Sequence, residues 1–153
     1  MSQHTLFDDI VAGKMKSWPI WEDEKHLAFL TPFPNTLGVT VVLPKKNIGD
    51  DVVELTDQQY EALLKAVKKV AKLLKEALKV HRVAIVFEGT GIAHVHAKLY
   101  PLHGKLAGET NVWVVEPSKF YDEYEGYINT KEGPLMDDTQ LDALQAKIRK
   151  AAQ

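Results

Sequence analysis

The sequence contains no cysteine. Disulfides, iron–sulfur clusters, thiolate zinc sites and cysteine nucleophiles are therefore excluded, and any metal would have to be held by His, Asp or Glu. It also lacks a charge excess. Nineteen Lys and Arg stand against 21 Asp and Glu, a formal charge of −2, whereas a nucleic-acid coat or a polybasic membrane binder needs a strong positive surplus. No window approaches the run of about eighteen apolar residues that a membrane span requires. Met1–His4 carries no basic segment followed by an apolar one, and Met1-Ser2 lacks the glycine that myristoylation uses. No signal peptide is expected, and the cytoplasm is the default location.

What is present is ordinary for a globular protein: 153 residues, 45% hydrophobic and 26% charged. That length predicts one domain, or one domain with an appendage, burying roughly two thirds of the surface its unfolded chain exposes. There is no internal repeat. The only biased stretch, Lys65–Lys79, holds six lysines and is explained by an amphipathic helix. Thr56 and Gln59 form a capping box. Tyr60, Leu63, Val67, Val70, Leu74 and Leu78 then recur at steps of three and four, with the lysines on the opposite face.

Strand-like runs surround this helix. Ile20–Glu22 and Leu27–Leu30 flank the polar Asp23-Glu24-Lys25 as a hairpin, and Thr31–Asn35 is a turn-rich break. Gly38–Leu43 is β-branched and stops at Pro44. Val83–Phe87, His94–Tyr100 and Val112–Val115 follow, with Gly89-Thr90-Gly91 read as a hairpin turn. Asp137 and Gln140 resemble a helix start before Leu141, Leu144 and Ile148. The order predicts an α+β domain, a mostly antiparallel sheet with one long helix packed on it. Residues 107–153 read as an extension ending in a short helix. Its aromatic cluster of Phe120, Tyr121, Tyr124 and Tyr127 is expected to dock on the main domain or on a partner subunit. Trp18, Trp21 and Trp113 read as packing or interface residues, and His4, His26 and His81 as surface residues.

Chemistry concentrates in His94-Val95-His96-Ala97-Lys98-Leu99-Tyr100-Pro101-Leu102-His103. On a strand, Val95, Ala97 and Leu99 face the core. His94, His96 and Lys98 project together from the other face, with about 6–7 Å between successive Cα atoms. Three cation-capable groups in a row repel one another when charged, and an anionic ligand relieves that repulsion. The row suits phosphate chemistry. A neutral imidazole attacks phosphorus near pH 7 and forms a covalent N–P intermediate, neighbouring cations stabilise the transferring group, and lysine acts as a point charge for phosphate. His-x-His is also a metal-ligand arrangement, but Lys98 in the same row argues against a cation, leaving a metal-dependent enzyme as the weaker alternative.

The segment His94–Tyr100 resembles the signature of the histidine triad (HIT) family, His-φ-His-φ-His-φ-φ with φ hydrophobic. Supporting similarity runs through Ile10–Gly13, Trp21–Asp23, Leu27–Leu30, Gly38–Leu43 with Pro44-Lys45-Lys46, and the long helix, over roughly residues 5–106. The resemblance implies an HIT-like nucleotide-binding domain over residues 1–106, usually completed as a homodimer, that hydrolyses or transfers nucleotides at the α-phosphate. Its substrates would be dinucleoside polyphosphates or nucleoside phosphoramidates, with no cofactor or metal required. By position, His96 matches the nucleophile and His94 the histidine that positions and polarises it. Phe7, Ile10 and Phe29 are implied as contacts for the base.

Several positions depart from the pattern. Lys98 stands third in the triad, Gly38-Val39-Thr40 replaces Gly-His-Thr, and Thr31 takes the place of an acidic ribose contact. Phe87-Glu88-Gly89 replaces Asn-x-Gly, and the short connection from Gly89 to His94 lacks the family's glutamine. Glu88 and His103 are candidates for the missing polar role. The departures point either to a subgroup with a different leaving-group preference or to a non-catalytic nucleotide-binding module.

Overall fold

In a computed structural model, residues 4–89, 91–104 and 135–152 are described. The expected strand Val112–Val115, Trp113, the aromatic cluster Phe120–Tyr127 and the loop at Gly133-Pro134 lie outside them. Five strands form one sheet: β1 (Trp18–Glu22), β2 (His26–Leu30), β3 (Thr40–Pro44), β4 (Val83–Val86) and β5 (Ala97–Pro101). Their spatial order is β1-β2-β3-β5-β4, and every neighbouring pair is antiparallel. Among the described residues three helices accompany them, α1 (Leu6–Val11), α2 (Asp57–Leu78) and α3 (Asp138–Lys150), with a 3-10 turn at Val52–Glu54. The fold is α+β.

The period of two along the strands sorts side chains onto two faces. Ala28 and Leu30 of β2, Val42 of β3, and Ala97 and Leu99 of β5 join the main core. Leu27 and Phe29 of β2, with Val41 and Leu43 of β3, join a second cluster with Phe7, Ile10 and Val11 of α1. The main core is covered by α2 and α3, the second cluster by α1. The candidate site lies on the α1 side.

The long helix forms as its sequence predicts. The Thr56 hydroxyl accepts from the Gln59 N–H at 3.3 Å while the Gln59 side chain accepts from the Thr56 N–H at 3.0 Å. Lys79 ends the helix in the left-handed region at φ 55°. Leu63, Val67, Val70 and Leu74 are fully buried, each contributing about 1.5–3 kcal/mol by leaving water. Tyr60, expected in the same stripe, is 41% exposed and lies in the first turn of the helix.

Helix α3 packs on the same core. Asp137 caps it by accepting from the Thr139 N–H, and Leu141, Leu144 and Ile148 are buried. The Trp18 indole N–H donates to Asp142 Oδ1 at 2.8 Å, and Gln145 Nε2 donates to the Pro19 carbonyl at 2.8 Å. These contacts tie the helix to the edge strand β1. Among the described residues no helix is long and apolar enough to cross a membrane.

Three expectations need correction. His26 is buried, not at the surface: the Asp23 carboxylate accepts from the His26 N–H at 2.7 Å and lies 3.1 Å from its Nδ1, pulling the ring into the hairpin turn. Strand β5 begins at Ala97 rather than His94, because the Val95 N–H donates to the Gly49 carbonyl in a loop instead of to a neighbouring strand. The β4–β5 connection is therefore residues 87–96, too long for a tight hairpin turn at Gly89-Thr90-Gly91.

Candidate active site

The two histidines sit on the bent loop leading into β5, which is tied to residues 47–49. Asn47 Nδ2 donates to the Ala93 carbonyl at 2.9 Å, and the Gly49 carbonyl takes the Val95 N–H at 2.6 Å. Alternation continues through this segment although it lies outside the sheet ladder. Val95 is in the main core, while His94 and His96 both meet the Phe7 ring edge-on, with centroids 5.9 and 5.0 Å away. Phe7 packs edge-on to Phe29 at 5.7 Å as well. One phenyl ring thus fixes both imidazoles against the apolar cluster.

Hydrogen bonding then sets the tautomer of His96. Its Nδ1 lies 2.7 Å from the His94 carbonyl oxygen. A carbonyl can only accept, so Nδ1 carries the hydrogen and the neutral ring keeps its lone pair on Nε2. Burial holds the His96 pKa below the ordinary histidine value. The His94 carbonyl and Glu88 oppose that shift, and Lys98 and His94 reinforce it. The result is a neutral imidazole with a nucleophilic nitrogen at neutral pH.

His94 is fully buried, with Nε2 2.7 Å from the Pro44 carbonyl, to which it donates. Its Nδ1 has no hydrogen-bond partner among the described residues, and Asp8 Oδ1 stands 3.8 Å away. Burial lowers the His94 pKa against the raising influence of the Pro44 carbonyl and Asp8. For Asp8, burial is the largest single influence and pushes upward. Hydrogen bonds from the Thr5 N–H and hydroxyl, with the charges of His94 and His4, outweigh it and hold the carboxyl low.

A cavity of about 230 Å³ opens beside this arrangement. Phe7, Ile10, Phe29 and Thr31 line it, together with Glu88, His96 and Lys98. A second hollow of about 280 Å³ meets it at Glu88 and His96 and is otherwise walled by Asp50, Asp51, Val52, Phe87, Gly89 and Val95. Gly89, at φ 61°, lets its backbone pass the Asp50 carbonyl, where an added Cβ would come within 2.5 Å of the oxygen. Lys98 forms an ion pair with Glu88 at the junction of the two hollows.

The structure places Phe7, Ile10, Phe29, Thr31, Glu88, His96 and Lys98 on the first hollow and Gly89 on the second, whereas His94, expected in the same row as His96 and Lys98, lines neither and is buried against Phe7 and the Pro44 carbonyl. His103 stands apart. Its Nε2 engages the Leu37 carbonyl at 2.9 Å, and the residue lines neither hollow, because Pro101 ends the strand and turns the chain away. Asp8 was not singled out in the sequence, yet Thr5-Leu6-Phe7-Asp8 carries a capping-box pattern that could have revealed both α1 and the placement of this carboxylate. No group of three or more His, Asp or Glu among the described residues is placed to hold a metal ion.

A largely apolar slot whose lining includes a neutral, backbone-oriented histidine and a lysine has the chemistry to receive a small anionic ligand with an apolar body. The HIT domain model matches residues 12–103, and the chain belongs to the HIT family. Protein hit of Bacillus subtilis (strain 168) is 29% identical over 127 residues, 80% of this chain and 87% of that protein. A crystal structure described as a hypothetical histidine triad nucleotide-binding protein from Sulfolobus tokodaii is similar at TM-score 0.71 and 25% identity, over 95% of this chain and 89% of that one. A HIT family hydrolase from Legionella pneumophila matches at TM-score 0.57 and 25% identity, over 72% of this chain and 97% of that one.

Proposed function

We propose that the protein is a nucleotide hydrolase or nucleotidyl transferase acting at the α-phosphate of dinucleoside polyphosphates or nucleoside phosphoramidates. The observation that carries this reading is the His96 Nδ1 contact with the His94 carbonyl, which leaves Nε2 as the nucleophile on a ring that lines the cavity. The nucleoside enters between Phe7, Ile10 and Phe29, with Thr31 near the ribose. Nε2 attacks the α-phosphorus, the bond to the leaving group breaks, and a nucleotidyl-His96 intermediate forms. Lys98 compensates charge on the phosphate oxygens, and Gly89 lends its backbone to the adjoining hollow. His94 holds His96 through its carbonyl. Water then releases the nucleoside monophosphate.

Residues 1–106 supply the nucleotide site in this reading, and residues 107–153 are an extension whose helix α3 buttresses it. Completion as a homodimer is part of the proposal. It is supported by β4, which lies at the edge of the sheet with Ile85 45% exposed, a surface suited to pairing. Sedimentation at micromolar concentration tests it, and a monomer there rejects it.

The decisive experiment compares the parent with His96→Ala on both substrate classes. The variant should lose release of nucleoside monophosphate, and full retention would sink the mechanism. The Glu88–Lys98 ion pair favours a second reading, since it occupies the lysine in the third triad position. In that reading the protein binds nucleotide without turning it over, so nucleoside monophosphate would bind with no product formed across the substrate panel.

A further inference from the structure

We propose that Glu88 is the general base for the hydrolytic half of this reaction, an inference that rests on the nucleotidyl-His96 reading above. Three observations converge on it. Among the described residues, Glu88 and His96 are the two that line both hollows, so the carboxylate lies where the nucleoside slot meets the second space. Glu88 is ion-paired with Lys98, the residue that replaces the third triad histidine. Its charge also acts directly on the His96 ring, opposing Lys98 there.

A lysine ammonium has three donors and no lone pair, so it can hold a phosphate oxygen but cannot accept a proton from water. A carboxylate only accepts. Together, Lys98 and Glu88 divide between two side chains the donor and acceptor roles that one imidazole combines. The second hollow is walled by Asp50 and Asp51 as well as Glu88, and it offers room for water beside the intermediate.

The step balances. The water oxygen forms a bond to phosphorus as the P–Nε2 bond breaks, and that electron pair returns to Nε2. One water proton passes to the Glu88 carboxylate and then to solvent. The other stays on the new phosphate hydroxyl. No metal or redox partner takes part.

The test is Glu88→Gln, which keeps the shape and an acceptor oxygen for Lys98 but removes the basic carboxylate. A dinucleoside tetraphosphate and a nucleoside phosphoramidate serve as substrates, with rapid mixing, mild alkaline quench and intact-protein mass measurement. The expected result is a fall in kcat of about 100-fold or more, the usual scale for general-base loss. The first product should still appear in a burst near one per site, and a nucleotide adduct should accumulate on His96. Glu88→Asp should recover part of the rate, and thermal melting should match the parent. Turnover within about threefold of the parent, or slowing without adduct accumulation, overturns the inference while leaving His96 as nucleophile. Turnover surviving His96→Ala, or no turnover in the parent, overturns the underlying reading and this inference together.

Discussion

Replacing Ile148 with alanine tests whether helix α3 is an integral wall of the domain. Ile148 is fully buried in the main core. The substitution deletes three carbons, about 2.4 kcal/mol at roughly 0.8 kcal/mol per buried methylene. The cavity left behind adds to this, so the expected loss is about 2–5 kcal/mol. Set against a typical stability of about 5–15 kcal/mol, that is a large fraction. With a urea slope of about 2 kcal/mol/M, the midpoint should fall by about 1–2.5 M with the slope unchanged. Circular dichroism and tryptophan fluorescence should report it together, because the Trp18 indole is bonded to Asp142 on the same helix. Lys147→Ala, one residue earlier on the exposed face, provides the control and should stay within about 0.5 kcal/mol. If Ile148→Ala costs no more than this control, the helix does not share the core and the reasoning fails.

Acid should destabilise the protein through its buried histidines. Burial lowers the pKa of both His94 and His96, so below the ordinary value of about 6.5 the unfolded chain binds protons that the native state does not. Melting temperature should therefore fall as pH drops from about 6.5 through the lowered native values, and a flat profile would contradict the burial. The acid limb of kcat/KM should likewise lie below the ordinary histidine value. It should move upward in Lys98→Met, which removes a lowering influence on His96, and an unmoved limb would separate Lys98 from the nucleophile. Phe29→Ala opens the cavity wall beside Phe7 and should weaken nucleoside monophosphate binding at least tenfold by calorimetry. Thr56→Ala removes the α2 cap and should cost about 1 kcal/mol in denaturant titration, since cap losses of this kind run about 0.5–2 kcal/mol.

Where local chemistry decides structure, the sequence was readable. The Thr56–Gln59 box and the spacing from Leu63 to Leu78 determine α2, and Asp137 with Leu141, Leu144 and Ile148 determines α3. The turn chemistry of Asp23 marks the first hairpin, although burial of His26 depends on how that turn closes against its own ring. Helix α1 is only six residues long, too short for a periodic stripe, and it is held by Phe7 packing on residues distant in the chain. The His94–Lys98 row and the resemblance it carries point to His96 and Lys98, which line the hollow, and to His94, which is buried behind the Phe7 ring contact instead. Long-range partners were not visible: the Gly49 carbonyl on Val95, the Pro44 carbonyl on His94, and Asp8 beside His94 Nδ1. His103 bonds the Leu37 carbonyl and lies off both hollows, since nearness in sequence across Pro101 does not carry into nearness in space.

The bond from His96 to the carbonyl of residue 94 has an evolutionary consequence. The ring's tautomer is written into the main chain, and no side-chain substitution at position 94 deletes that carbonyl. If His96 is the nucleophile, as proposed, substitutions of the proton donors and acceptors around it would leave the orientation of Nε2 in place. Changes of substrate or rate would then be accessible by single steps.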